Sequence, residues 1–227
     1  MRLKKSRVMV AGLGGLGCPL AVYMAAAGVG KLLLVDKEKV ELSNLNRQIL
    51  HWTPDLGRLK TESAAEKLRD LQEASRHGID VDVEAVVAEI DEDNVRELVS
   101  GVDLVLDGVD NWRTRLLLNE ACVTLSKPFI HAGIYGVSGQ MLVVIPREGP
   151  CLQCIMPRPP PEAGRFPVLG TTPAVLAALQ ATEAIKILAG YGEPAVGKLV
   201  VYDGYDMTFR EIRVSRNPNC PVCGGET

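Results

Sequence analysis

The chain has 227 residues, 47% hydrophobic and 23% charged, a balance that suits one well-cored globular fold and excludes intrinsic disorder. No apolar run reaches the roughly 18 residues that a membrane-spanning helix needs. A net charge of −3 with no basic stripe argues against a nucleic-acid surface.

In chain order, "MRLKKSRVMVAG" is basic and then apolar, as a signal peptide would be. Its apolar part runs into a glycine loop instead of a small-residue cleavage site, so it reads as a first strand. "GLGGLG" follows, then "CPLAVYMAAAGVG", helical in composition with a glycine stop. "KLLLVD" is a buried strand, and residues 59–75 carry apolar positions at helical spacing with a charged outer face. "IDVDVEAVVAEI" is a third strand and "DEDNVRELVSG" an acid-capped helix. "VDLVLDGVD" is a fourth strand and "NWRTRLLLNEACVTLS" the next helix. Alternation of strand and helix over the first 125 residues implies a parallel sheet with right-handed crossovers.

The pattern then changes. "PFIHAGIYGVSGQMLVVIP" reads as strand, glycine turn, strand, and the proline-rich residues 157–173 as loop, with Thr171 and Thr172 as caps of the helix that follows. "AVLAALQATEAIKILAG" is a helix apolar on most faces and so expected to be buried; "GKLVVYDG" and "FREIRVSR" are two antiparallel strands. The expected architecture is a single α/β domain over 1–227. It has a doubly wound, Rossmann-like sheet, a parallel nucleotide-binding half (1–125) and a second half (126–227) with antiparallel strands.

Gly12, Gly14 and Gly17 form G-x-G-x-x-G between a strand and a helix, and Asp36 closes the next strand. Glycines there let the backbone approach a phosphate at the helix N-terminus, and the acid can accept from ribose hydroxyls. That fingerprint does not choose between NAD, FAD and ATP. Beyond Asp36 lie Asn44, Arg47 and Gln48, and Lys60 opens the next helix. Fixed cations beside a phosphate site suit a triphosphate whose leaving group gains charge, whereas hydride transfer needs an apolar slot. Asp107 and Asp110 sit at the carboxyl end of a strand, on the ligand-binding rim of an open α/β sheet, where a carboxylate can hold Mg2+. Together these features point to nucleotidyl transfer. Cys151-x-x-Cys154 and Cys220-x-x-Cys223 can supply four thiolates to a tetrahedral Zn2+; without an open coordination position, that site is structural. With no secretory signal, a reducing, cytoplasmic compartment is expected, which favours metal over disulfides. Cys18, Cys122, His51 and His131 read as packing or structural residues, Trp52 and Trp112 as packing or pocket rim.

"GLGGLG", "AAAGVGKLLLVDKEKVELSNLNRQ", "GRLKTESA", "VLDGVDNWRTRLLLNEAC", "LQATEAIKILAGYG" and the paired C-x-x-C resemble the ThiF/MoeB/HesA family, relatives of ubiquitin-activating enzymes, from residue 3 onward. The resemblance implies a homodimeric, ATP- and Mg2+-dependent adenylyltransferase acting on the C-terminal glycine of a ubiquitin-like sulfur carrier that ends in Gly-Gly. It implies Gly12, Gly14 and Gly17 at phosphate and Asp36 at ribose. It gives Asn44, Arg47, Gln48 and Lys60 to the triphosphate, and Asp110 to Mg2+, leaving Asp107 a structural neighbour. Catalysis falls to Arg47, Lys60 and Asp110.

Two departures from the family pattern stand out. Many members carry a nucleophilic cysteine in the crossover loop, and residues 157–173 contain none. Members also carry a longer segment ahead of the first strand, with an arginine that reaches the partner's site; here six residues precede it. These departures favour one alternative, a catalytically weak nucleotide- or carrier-binding subunit; a separate alternative, a relative that adenylates a tRNA nucleoside, is opposed by the acidic balance and the lack of a basic stripe.

Overall fold

A computed structural model describes residues 2–74, 80–159 and 167–225. Its centre is one eight-stranded sheet in the order β3-β2-β1-β4-β5-β6-β7-β8. β1 (Arg7–Ala11), β2 (Lys31–Val35), β3 (Asp82–Val86), β4 (Leu104–Asp107) and β5 (Phe129–Tyr135) are mutually parallel. β6 (Ser138–Val144), β7 (Lys198–Asp203) and β8 (Thr208–Arg213) continue it antiparallel. The helices are α1 (Gly17–Ala26), α2 (Lys60–Ala74), α3 (Val95–Ser100), α4 (Trp112–Thr124), α5 (Leu152–Ile155) and α6 (Thr171–Ala189).

Alternation along the central strand builds two cores. Val8 and Val10 of β1 face one way, into a cluster with α1, α2 and α6. Met9 and Ala11 face the other, into a cluster with α3, α4, α5 and the four zinc-pattern cysteines. Successive strand side chains point to opposite faces, so a strand buried on both sides is apolar throughout, as β1 is. The chain winds outward from β1 through β2 to β3, then returns to β4 on the opposite side. The carboxyl ends of β1 and β4, where Ala11 pairs with Asp107, therefore mark the switch point at which α/β sheets leave a ligand crevice.

The parallel half and the antiparallel half agree with the architecture read from the sequence. Four details differ. Strand β3 is five residues long, shorter than its apolar pattern suggested. α6 begins at Thr171, with Gly170 at its N-cap and no side-chain cap bond, so Thr171 and Thr172 are its first turn and not its caps. α6 buries a single stripe (Thr172, Leu176, Gln180, Glu183 and their neighbours) while its other faces are half-buried or exposed, as its coverage of one sheet face requires. α5, a single helical turn capped by Cys151 and containing Cys154, carries no periodic signal because it is too short to have one. Residues 160–166 of the proline-rich loop, and Ser75 at the expected end of α2, lie outside the described residues.

Candidate active site

At the switch point three backbones meet closely. Gly12 has φ +85°, the left-handed region that favours glycine, and a Cβ there would lie 2.7 Å from the Gly108 carbonyl. A Cβ on Gly17 would lie 1.8 Å from the Gly12 carbonyl oxygen. These two glycines are therefore packing requirements that let β1 turn into α1 against the end of β4. Gly14 differs: a Cβ there would meet the Gln48 Nε2 at 3.8 Å and the Gly108 carbonyl at 4.0 Å, ordinary contacts, so packing alone does not require a glycine. Of the three fingerprint glycines, Gly14 has the surroundings of a phosphate cradle.

Asp36 closes β2 beside this loop. One carboxylate oxygen accepts the Leu13 N–H at 2.7 Å, and the other accepts the Glu38 N–H at 2.7 Å. The acid thus fixes both the glycine loop and the segment after β2. That segment carries the cations. Lys60, only 3% exposed, donates its backbone N–H to the Glu38 carbonyl at 2.9 Å and its ammonium to the Glu38 carboxylate at 2.6 Å. Glu38, which carries no motif signal in the sequence, is the counter-ion that lets a lysine be buried. A buried lysine at the start of a helix, with an acid next to the ribose-type aspartate, is the signal that could have found it.

Asn44 is buried and accepts the Glu41 N–H through its side chain, closing a 3-10 turn over Leu42–Asn44. Its carbonyl accepts from both Arg47 and Gln48, so Asn44 shapes the turn that carries those two side chains. Gln48 is 3% exposed and its Oε1, buried, has no hydrogen-bond partner. A buried amide oxygen without a donor is costly, and a ligand hydroxyl or metal-bound water could supply one. Arg47 is half-buried. Its guanidinium rests on the Ser43 carbonyl at 2.9 Å and the Asn46 side chain at 2.7 Å, and its stem packs at the Gly15 backbone beside Pro173 of α6. Gly12, Gly14, Gly17, Asp36, Asn44, Arg47, Gln48 and Lys60 are thus linked by neighbouring contacts beyond the carboxyl ends of β1 and β2.

The two strand-end aspartates divide sharply. Asp107 is fully buried; its Oδ2 accepts from Arg115 Nε at 2.7 Å and faces His131 Nδ1 at 2.7 Å, and its Oδ1 accepts the Val109 N–H. Burial would raise the Asp107 pKa, but the Arg115 charge and the His131 hydrogen bond outweigh it and hold the carboxyl below its usual value. Burial pushes His131 below the ordinary histidine range, so the ion pair is Asp107–Arg115 and His131 is the neutral donor. With its oxygens so engaged, Asp107 is a core residue. Asp110, three residues on, is exposed beyond the end of β4 and close enough to Lys37 to raise that lysine's pKa, behind the larger effect of its Glu89 partner. Arg115 is a residue that sequence reasoning passed over. A lone arginine on the otherwise apolar face of α4, eight residues after a strand-end acid, is the pattern to look for.

The remaining single residues fall into place as packing. Cys18 is buried and its thiol is pushed up to about 12 by burial. Cys122 is buried with its thiol raised for the same reason. Trp52 is half-exposed with the Lys67 ammonium 4.8 Å from its ring centroid, and Trp112 stacks on the Arg115 guanidinium. Arg2 donates to the Ala189 carbonyl at the end of α6.

The four zinc-pattern cysteines converge from two distant segments, with all their sulfurs within 4.8 Å of one another. Cys151–Cys220, Cys154–Cys223 and Cys151–Cys154 are 3.6, 3.3 and 3.9 Å apart, and none of the six cysteines of the chain is in a disulfide. Four thiolates around a metal at about 2.3 Å would sit about 3.8 Å apart. The cluster could hold zinc, and it would pin residues 217–223 to α5.

The ThiF family model matches residues 1–222. The chain belongs to the ThiF family. The SAMP-activating enzyme E1 of Haloferax volcanii is 45% identical over 228 residues, a match covering 98% of this chain and 82% of that protein. The sulfur carrier protein adenylyltransferase of Thermus thermophilus is 42% identical over 238 residues, covering 99% and 84%. Among solved structures, E. coli MccB determined with ATP superposes with a TM-score of 0.82 at 25% identity, covering 98% of this chain and 68% of MccB. Family membership and fold are those the motifs implied, and the named relatives are adenylyltransferases or E1 enzymes. No helix among the described residues is long and apolar enough to cross a membrane.

Proposed function

We propose that this ThiF-family chain is an ATP-dependent adenylyltransferase that activates the C-terminal glycine of a ubiquitin-like sulfur carrier ending in Gly-Gly. The observation that carries this reading is the buried Lys60, held against the glycine loop through Glu38 and Asp36. It is a fixed ammonium where pyrophosphate would gain charge, in a crevice lined by polar groups and unlike the apolar slot a nicotinamide needs. Similarity to relatives named for adenylating carriers supports the substrate class.

In this reading the Gly14 backbone cradles phosphate, Asp36 takes the ribose hydroxyls, and Asn44, Arg47 and Gln48 line the triphosphate. A carrier carboxylate oxygen bonds to the α-phosphorus while the bond from that phosphorus to the pyrophosphate oxygen breaks. The electron pair leaves with pyrophosphate, and Arg47 and Lys60 stabilise it. Mg2+, for which exposed Asp110 is the fitting ligand, would neutralise phosphate charge when bound. Zn2+ on Cys151, Cys154, Cys220 and Cys223 would be structural. We assign residues 1–125 to nucleotide binding and 126–227 to the carrier, with the protein working as a homodimer in the cytoplasm. Because the 157–173 loop has no cysteine, a covalent sulfur-transfer step is either absent or belongs to another protein.

Hydroxylamine trapping tests the activity. With ATP and Mg2+, a Gly-Gly carrier is expected to become its C-terminal hydroxamate, read by mass spectrometry. Asp110→Ala should cut the yield at least about a hundredfold, the loss typical of a removed transition-state charge partner, while leaving the fold intact. A fully active Asp110→Ala protein would overturn the metal assignment.

A further inference from the structure

His51 joins the glycine loop to α2, although its sequence context suggested only a structural role. It is 3% exposed. Its Nε2 lies 3.1 Å from the Leu13 carbonyl oxygen and 3.6 Å from the Cys18 sulfur, and its Nδ1 lies 2.9 Å from the Ser63 hydroxyl. A carbonyl has no proton to give, so Nε2 carries the hydrogen and Nδ1 accepts from Ser63.

Leu13 sits between Gly12 and Gly14, and the structure holds both its edges. Its N–H donates to Asp36 at 2.7 Å, and its carbonyl accepts from His51 at 3.1 Å and, more weakly, from the Cys18 thiol at 3.3 Å. Every peptide bond described is trans, so a carbonyl and the N–H of the following residue point to opposite edges of one plane. Turning the Leu13 carbonyl toward His51 therefore turns the Gly14 N–H away from it. Gly14 is also the one fingerprint glycine at which a Cβ would make only ordinary contacts, the Gln48 Nε2 among them at 3.8 Å. Ser63, on the other side of the imidazole, is three residues after Lys60 on α2 and so one turn along from it.

We propose that His51 is a positioning residue for the nucleotide. It fixes the Leu13–Gly14 peptide so that the Gly14 N–H is presented to phosphate, and through Ser63 it ties that peptide to the helix bearing Lys60. One imidazole then sets the distance between two of the groups assigned to the triphosphate, the Gly14 N–H and Lys60. The inference rests on the nucleotide reading above.

Calorimetric titration of the whole chain with Mg2+·ATP, joined to ATP kinetics, tests it. His51→Leu should weaken ATP binding about tenfold, the effect of losing one well-placed hydrogen bond. His51→Gln, whose amide can still donate to the Leu13 carbonyl, should recover most of that loss, and Ser63→Ala should lose about threefold. Because the Gly14 N–H meets phosphate in ground and transition states alike, KM for ATP should rise in step with Kd, and a displaced Lys60 should lower kcat as well. A merely structural lesion would lower kcat through fewer active molecules and leave KM unmoved. Leucine binding ATP as the wild type does, or glutamine faring no better than leucine, overturns the proposal. If His51→Leu does not fold, Ser63→Ala decides: unchanged affinity breaks the proposed tie. A wild-type protein that does not bind Mg2+·ATP refutes the nucleotide reading instead.

Discussion

Asp107→Asn removes a charge from a deeply buried ion pair. The substitution keeps shape but swaps an acceptor for an amide. Asp107 now takes hydrogen bonds from Arg115, His131 and the Val109 N–H. An asparagine would set NH2 hydrogens against one or more of these donors and leave the Arg115 guanidinium, 5% exposed, without a counter-ion. Breaking a buried pair from one side costs about 3–5 kcal/mol. For a domain of this size each kcal/mol moves Tm by about 2–4 °C, so Tm should fall by about 10 °C. Differential scanning calorimetry at neutral pH reads this directly. The double change Asp107→Leu with Arg115→Met, which removes both charges, should recover much of the loss, because the pair's own net contribution is small. Asp110→Asn, at the surface, should shift stability by no more than about 0.5 kcal/mol. An Asp107→Asn protein melting within about 2 °C of wild type would refute the claim that Asp107 is a core residue.

Two further outcomes follow from the same structure. Burial holds His51 and His131 below the ordinary histidine range, so near pH 6.5 the unfolded chain takes up protons that the folded chain refuses. Stability should therefore fall as pH drops below about 6.5, by up to about 1.4 kcal/mol per pH unit per histidine until the folded-state values are reached; a Tm that is flat from about pH 7.5 to 5.5 contradicts this. Chelation should lower Tm by freeing the 217–223 segment from α5, while Mg2+·ATP still binds at low temperature; a purified protein that carries no zinc and melts unchanged would remove the metal from the account.

Much of the fold was legible because its signals are local. Glycine stops, apolar runs and the alternation of strand and helix placed β1 to β5 and their helices in the observed order, and motif spacing placed Lys60 at the start of α2. The four-cysteine cluster was legible for the same reason, since a C-x-x-C pair marks its own half of a site. What could not be read depends on contacts between distant segments. The Glu38 counter-ion, the Asp107–Arg115–His131 network and the His51 bridge from Leu13 to Ser63 join residues from 8 to 38 positions apart. Their side-chain types say only that a partner is needed. The start of α6 was misplaced by the proline count, because Pro173 falls in the first turn, where a missing N–H costs nothing.

The most direct test of adenylation is ATP–pyrophosphate exchange by the purified chain with Mg2+, with and without carriers ending in Gly-Gly. The account predicts exchange that needs the carrier's terminal glycine and is lost when that glycine is removed. ATP binding with no exchange, across every Gly-Gly carrier the host encodes, would contradict it and make the chain a nucleotide-binding subunit.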